Sequence, residues 1–335
     1  MNMRKPGNFY RASDVNKRRM SFFSALMILS LTATSTCFAG FEVGDFGTRS
    51  LGLGRAYTAM AGDGEALSYN IAGLARTPNN LLFSSYANLF GGMSEGSLNQ
   101  YSAGAIYNGL PIVGRLGAGI SVFTTQGYQE IQVPVGTSFE LPFGIAAGVA
   151  LRGLYWGITP DVDPVTGVQD DALSKFTFTA DAGLYYDIDL TTLKLPLGLA
   201  TKGKIALGLA IKNLIPLSVA VDKDQADAGR LPVQPRAGIA WIGNGGLISV
   251  DYLLYNGGQV RAGGEFKALN IDNRLGRAEI LIRAGAAGAA DSGGGEVTGG
   301  FGIRFNQFRL DAAYVWSQNI LDAGATQRYS LSYEF

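Results

Sequence analysis

From residue 80 to the C-terminus, apolar positions recur at every second residue. Val297, Gly299, Phe301, Ile303 and Phe305 alternate with Thr298, Gly300, Gly302, Arg304 and Asn306. Phe308, Leu310, Ala312, Tyr314 and Trp316 alternate with Arg309, Asp311, Ala313 and Val315, and Tyr329, Leu331, Tyr333 and Phe335 with Arg328, Ser330, Ser332 and Glu334. Ile205, Leu207, Leu209 and Ile211 repeat the pattern upstream, as do Val260, Ala262, Gly264 and Phe266. A period of two over about ten residues is the signature of a strand with two unlike faces. The pattern predicts fourteen strands, over 80–91, 99–108, 113–125, 127–139, 142–158, 173–189, 201–214, 231–244, 246–255, 258–268, 277–288, 294–305, 307–317 and 326–335. Pro134 and Gly136 interrupt the fourth.

Such strands build either a soluble sandwich, apolar face inward, or a membrane barrel, apolar face outward. A sandwich would present Lys, Glu and Thr to water. Here the second face is Gly, Ala and Ser with scattered charges, which suits a confined lumen. Aromatics gather at strand ends in Tyr155 and Trp156, Tyr185 and Tyr186, Tyr252 and Tyr255, and Tyr314 and Trp316, as in interfacial girdles. The expectation is an all-β protein, a 14-stranded antiparallel transmembrane β-barrel embedded in outer-membrane lipid. With both ends on the periplasmic side, the short turns 108–111, 243–246 and 306–307 fall there. The longer connections 159–172 and 217–230 fall outside the cell, and 187–200 is a longer periplasmic link.

The face assigned to the lumen carries Arg236, Arg261, Glu265, Glu279, Arg283, Arg304, Asp311 and Arg328, with Arg152, Asp181, Lys204, Lys212, Asp251, Arg309 and Glu334. A Lys or Arg at the lipid midplane would cost about 2–4 kcal/mol, so these side chains must point inward. They form either a polar path with a carboxylate site for an anionic amphiphile, or a network of paired charges tying a plug to the wall. The similar number of both signs favours the network.

Composition changes the picture at the N-terminus. The 335 residues hold 27 basic and 27 acidic groups, 47 glycines, one cysteine and no histidine. Residues 1–39 read as a signal peptide: a basic start with Arg4, Lys5, Arg11, Lys17, Arg18 and Arg19, an apolar run over 22–31, and a small-residue cleavage site after Ala39. Cleavage leaves 21 basic against 26 acidic groups and removes Cys37. An exported chain without Cys or His has no disulfide framework and no thiolate or imidazole metal site. Histidine-based hydrolase chemistry is also gone, so the chain reads as no enzyme and calls for no cofactor. Asp161, Asp163, Asp170 and Asp171 begin like a calcium loop, but Val165 and Thr166 break the pattern. The pairs Gly52-x-Gly54 and Gly62-x-Gly64 complete no phosphate-binding loop, and nothing points to nucleic acid.

Residues 40–79 contain no barrel strand. Gly52, Gly54, Arg55, Tyr57, Asp63, Asn70 and Gly73 punctuate the segment, and a helix over 65–74 with Asp63 as its N-cap is predicted. A 14-stranded lumen is too wide for wall side chains to fill, so this segment reads as a plug, with the barrel over 80–335. The run from Ser50 to Ala75, SLGLGRAYTAMAGDGEALSYNIAGLA, resembles the N-terminal signature of FadL-type outer-membrane barrels, and more closely their PorV/PorQ-like relatives. Stretches at 206–214, Leu231-Pro232, Arg236-Ala237-Gly238, 282–285 and 298–314 are similar to the same group. One position departs, Ile71 standing where the family usually has Pro, which removes the usual helix stop.

The resemblance implies an N-terminal hatch in the lumen, shaped by Arg55, Tyr57, Asp63 and Asn70. It implies passive passage of hydrophobic compounds such as fatty acids or aromatics, leaving sideways beside a kinked third strand near Pro111, Gly117 and Gly119. The PorV-like branch implies instead a carrier or scaffold for a secreted protein partner in type IX secretion.

Overall fold

The fourteen alternating runs become fourteen antiparallel strands: β1 (Leu81–Leu89), β2 (Leu98–Leu110), β3 (Gly114–Thr125), β4 (Tyr128–Glu140), β5 (Ile145–Ile158), β6 (Leu173–Asp189), β7 (Lys204–Lys212), β8 (Gln234–Gly243), β9 (Gly246–Leu253), β10 (Gln259–Asn273), β11 (Gly276–Ala289), β12 (Gly295–Phe305), β13 (Phe308–Ser317) and β14 (Thr326–Glu334). The structure is a computed structural model, and it describes residues 40–335 apart from 42–44, 93–97, 111–113, most of 161–170, 191–202, 228, 256, 274–275, 290–294 and 319–323. The expected signal peptide, Pro111 and most of the acidic external loop lie outside the described residues. Each strand pairs with its neighbours in sequence, and β1 closes on β14 from Leu81↔Glu334 to Asn88↔Gln327. Closure leaves no sheet edge, so every strand finds ladder partners on both sides.

Side-chain direction follows the alternation. Leu151, Phe176, Ile248 and Phe266 stand outward and 60–66% exposed, whereas Arg283 and Arg328 point inward and are 2–3% exposed. An apolar belt of this extent is the lipid-facing surface of a transmembrane barrel. Neighbouring aromatics cannot share a face at period two. Of the expected girdle pairs, Tyr186 faces out, but Tyr185 is buried in the lumen. Trp156 also turns inward, where its indole N–H donates to the Val219 carbonyl at 2.8 Å.

Two strands depart from the sequence expectation. β4 runs unbroken through Pro134, which pairs with Arg152 of β5. Toward β3, however, no pairs form between Ala118↔Val135 and Ser121↔Gln132, since proline has no N–H to give the ladder there. β10 continues to Asn273, beyond the expected end at 268, through a bulge between Lys267 and Leu269. The bulge flips the phase, so Leu269 and Ile271 face out where Glu265 and Arg261 had faced in. A slip of phase looks like a strand end in sequence.

The rim that carries the C-terminus has the shorter connections and is called here the turn rim; the opposite one is the loop rim. At the loop rim the β7–β8 connection folds inward. Val219 and Leu231 pack there with Phe41 and Leu154 in an apolar cluster.

Candidate functional site

Residues 45–77 sit inside the barrel as the expected hatch. A helical turn (Thr48–Gly52), a second (Ala66–Tyr69) and a 3-10 segment (Ile71–Arg76) replace the single predicted helix over 65–74. Asp63 is not the N-cap of the second turn: Glu65 takes that position without a side-chain capping bond, and Asp63 Oδ1 instead accepts from the Glu65 N–H at 3.2 Å, just before the turn. Asn70 splits the helix. Its backbone is extended, its side-chain oxygen accepts from the Ala72 N–H, and its Nδ2 donates to Thr58 O at 2.8 Å and Leu184 O at 3.0 Å. These bonds to hatch and wall do what the family's proline would do, so Ile71 leaves the helix stop intact.

The hatch meets the wall through two unlike halves. Against β10–β13 the contact is ionic. Arg49 donates Nη2 to Glu265 Oε1 at 2.7 Å and Nε to Oε2 at 2.9 Å, and Nη1 reaches Asp63 at 3.1 Å and the Tyr57 hydroxyl at 3.2 Å. Tyr57 in turn donates to Asp63. Glu265 also takes Arg283 Nε at 2.7 Å, and Arg283 Nη2 reaches Asp311 Oδ1 at 2.7 Å. Arg309 completes the chain with a 2.8 Å contact to Asp311 Oδ2. Wall Asp251 holds hatch backbone: one oxygen accepts from Tyr57 N, Thr58 N and the Thr58 hydroxyl at 2.8, 2.7 and 2.6 Å. Gly52 and Gly54 lie on Thr298, which accepts from Gly54 N at 3.0 Å and donates to Gly52 O at 3.2 Å.

Gly54 has φ +62°, and a Cβ there would stand 2.6 Å from Ala286 N and 2.7 Å from Ala262 O. Across from it, a Cβ on wall Gly285 would stand 2.2 Å from Gly54 N. Backbone lies directly on backbone, which only glycine on both sides permits. Gly73 is packed similarly, with Met60 O 3.0 Å from where its Cβ would be.

Against β1–β6 the contact is mainly apolar, with Asn70 bonded to Leu184 O and Arg76 paired to Glu140 and Asp187 at the turn rim. Leu67, Ile71 and Leu74 of the hatch cluster with Leu81, Ile106 and Ala150, and Phe83 packs against them. Phe46 sits edge-on to Phe83 at 5.9 Å and covers Gly119, while Leu67 and Leu74 cover Gly117. Phe46 therefore backs the unpaired stretch of the β3–β4 ladder, and Leu67 and Leu74 lie on the paired Gly117 next to it.

The charges separate by height in the lumen. Toward the turn rim both signs are matched: Glu279 meets Lys267 at 2.8 Å, Arg277 at 2.7 Å and Arg304 at 3.8 Å, and Arg76 meets Glu140 at 2.8 Å and Asp187 at 3.0 Å. With the Glu265–Arg283–Asp311 chain, this is the plug-to-wall network expected from the sequence. Toward the loop rim the matching is partial, with Arg152 meeting Asp181 at 3.0 Å and Lys212 meeting Asp45 at 3.7 Å. Among the described residues Arg236 bonds Gln234, at 3.5 Å, and lies over the face of Tyr69, and Arg261 bonds Gln259, at 3.2 Å; neither forms an ion pair there. Arg328 donates to the Asp45 and Gly47 carbonyls and to Gln100, all neutral. Arg55, with φ +61°, reaches Glu296 at 3.3 Å.

Tyr57 and Asn70 are fully buried and hold the hatch; they line no open passage. Sequence reading missed Arg49 and Glu65, the hubs of the hatch. Glu65 accepts the N–H groups of Arg49 and Ser50 at 2.8 and 2.7 Å, beside a cavity of about 30 Å³ shared with Phe46, Phe83, Arg309 and Asp311. Burial and the neighbouring Asp63 push its carboxyl up to about 7. Both stand beside the quoted glycine motifs, Arg49 three residues before Gly52 and Glu65 directly after Gly64, among other charges there, Arg55 and Asp63. Glu130 was missed as well; it accepts from Phe41 N at 2.9 Å.

No protein-family model matches the sequence, and no curated protein matches it. Solved structures do. The monoaromatic hydrocarbon channel CymD superposes with a TM-score of 0.58 at 12% identity, over 88% of this chain and 99% of that one. The toluene transporter TbuX of Ralstonia pickettii gives 0.56 at 12%, over 88% and 100%. A FadL homologue of Pseudomonas aeruginosa gives 0.51 at 14%, over 89% and 100%. The shared property is the barrel fold.

Proposed function

We propose that this protein is a passive outer-membrane conduit for small hydrophobic compounds. The observation that carries the reading is the two-sided seating of the hatch. One half is locked to β10–β13 by buried ion pairs, whereas the other rests on β1–β6 mainly through apolar side chains, its ion pairs there confined to Arg76 at the turn rim, and it lies beside a stretch where the β3–β4 ladder lacks two pairs. An apolar molecule moving down that side competes with Phe46, Leu67 and Leu74 for like surface and leaves the buried Arg49–Glu265 and Arg283–Asp311 pairs untouched. It then meets the wall where the β3–β4 ladder already lacks two pairs, which lowers the hydrogen-bond cost of opening there. The loop rim faces outward in this reading, and the mature chain starts after Ala39. Two of the solved structures named above are a monoaromatic hydrocarbon channel and a toluene transporter. They lend nothing to a carrier or scaffold for exported proteins, and that alternative is set aside.

The test is uptake of radiolabelled toluene and decanoate by cells with and without the protein, at equal outer-membrane expression of a control barrel. Faster uptake of at least one compound is expected. Equal uptake of both ends the conduit reading.

A further inference from the structure

On the outward face near the loop rim, strand register sets four positions without apolar side chains next to one another. Thr124 of β3 pairs with Gln129 of β4, Gln129 with Gly157 of β5, and Gly157 with Ser174 of β6. The next outward row toward the membrane is Val122, Ile131, Tyr155 and Phe176, paired in the same way across the same strands, and Phe176 is 66% exposed. Two residues along a strand span about 7 Å, so the surface passes from the lipid-facing belt to a polar shelf within one pleat. That step places the shelf at the depth of lipid headgroups.

The shelf is hollow. Gly157 leaves a gap between Gln129 and Ser174, and the Tyr155 hydroxyl stands beside it, 2.9 Å from where a Cβ on Gly157 would be. The Thr159 N–H donates to Gly127 O at 2.7 Å, which ties the β3–β4 turn to the start of the β5–β6 connection, and both residues line the hollow. The cavity measures about 370 Å³. Small-ligand sites run to roughly 300–1,000 Å³, so it is large enough to hold a headgroup. Among the described residues its lining offers hydroxyls and an amide, which both donate and accept, and no charged side chain. Neighbouring Glu130 and Lys175 fall on the lumen-facing alternation, and Asp171 is exposed beyond Ala172. A phosphodiester head only accepts hydrogen bonds and would call for Lys or Arg here. A sugar gives and takes hydrogen bonds without net charge.

We propose that this shelf binds the neutral sugar headgroup of a membrane glycolipid, whose acyl chains lie down the wall over Ile131 and Phe176. Continuity of the hollow with the apolar belt selects a lipid-borne sugar over a soluble one. The proposal needs that belt to face lipid and is independent of the conduit reading; the direction of the loop rim decides only which leaflet supplies the lipid.

The experiment adds monoglucosyl dioleoylglycerol, dioleoylphosphatidylglycerol or dioleoylglycerol to the purified full-length protein in a detergent without sugar, tetraethylene glycol monooctyl ether. Bound lipid is read by native mass spectrometry over a concentration series. The glucolipid is expected to bind at least about ten-fold more tightly than either of the others, the yield of about two added hydrogen bonds. The preference is expected to disappear in Gln129→Leu/Ser174→Ala, which removes polar groups, and in Gly157→Leu, which fills the hollow. Heat-modifiable migration reports that each variant barrel is folded. Equal binding of the three lipids by the unmodified protein overturns the proposal, as does tighter binding of phosphatidylglycerol or a preference that persists in both folded variants. Methyl glucoside binding as tightly as the glucolipid would make the source a soluble sugar and overturn the lipid assignment. Toluene uptake is scored separately, so failure of the shelf leaves the conduit standing, and failure of the conduit leaves the shelf.

Discussion

Arg49 and Glu265 lie 216 positions apart in sequence and meet in a two-pronged ion pair, with N–O distances of 2.7 and 2.9 Å. One belongs to the hatch and the other to β10, so a single contact ties the plug to the wall. Glu265 is also the acid shared by Arg283 and, at 3.7 Å, by Arg309. Replacing it with Gln leaves three buried guanidiniums facing one remaining wall carboxylate, Asp311. Glu265→Gln is expected to weaken hatch seating by about 3–5 kcal/mol, the range for removing one partner of a buried pair. Limited proteolysis within residues 45–77, with the barrel still intact, would register it; resistance equal to the unmodified protein would show that the pair holds nothing.

Seating of the hatch should respond to pH through Glu65. Burial first and Asp63 second raise its carboxyl to about 7, against two backbone N–H bonds that favour the ionised form. The ordinary value is 4.5, so between about pH 4.5 and about pH 7 the seated hatch keeps a proton that a released hatch gives up. Seating therefore weakens as pH rises through that window. Asp45 acts in the opposite sense: burial opposes its ionisation, but Lys212, Arg55, Arg236 and Arg261 outweigh burial and hold the carboxyl at about 2, below its ordinary 3.8. Its stabilising contribution is present above that ordinary value and is lost as pH falls toward 2. Hydrogen exchange of residues 48–54, corrected for intrinsic rate, should show the upper slope, and Glu65→Gln should flatten it.

Gly285→Val places a side chain where Gly54 N lies 2.2 Å from the position of Cβ. Backbone on both sides cannot yield as a flexible side chain would. The expected result is a barrel that still folds, judged by its heat-modifiable migration, with a hatch that is cleaved readily. A variant as protease-resistant as the parent would mean the hatch can shift to make room.

Pro134→Ala restores an N–H to β4 opposite the unpaired part of β3. If ligand leaves by this stretch of wall, the added ladder bond, worth about 0.5–1.5 kcal/mol, should slow uptake of a hydrophobic compound by about two- to ten-fold without lowering expression. Unchanged uptake would move the exit elsewhere on the wall.

Period-two alternation determined the strand number, the closed architecture and the direction of nearly every side chain, because a strand in lipid has no tolerated alternative to apolar-out. It also placed Arg236, Arg261, Glu265, Glu279, Arg283, Arg304, Asp311 and Arg328 in the lumen, since direction is a local property of a pleat. Alternation says nothing about partners. Height along the barrel and the seating of the hatch decide that Glu265, Arg283 and Asp311 are matched while Arg236 and Arg261 are not. The bulge at 267–269 and the split of the hatch helix at Asn70 were likewise invisible, for each is fixed by hydrogen bonds to residues far away in sequence. Pairing across the lumen is long-range geometry, and only the closed barrel brings the two ends of each ion pair together.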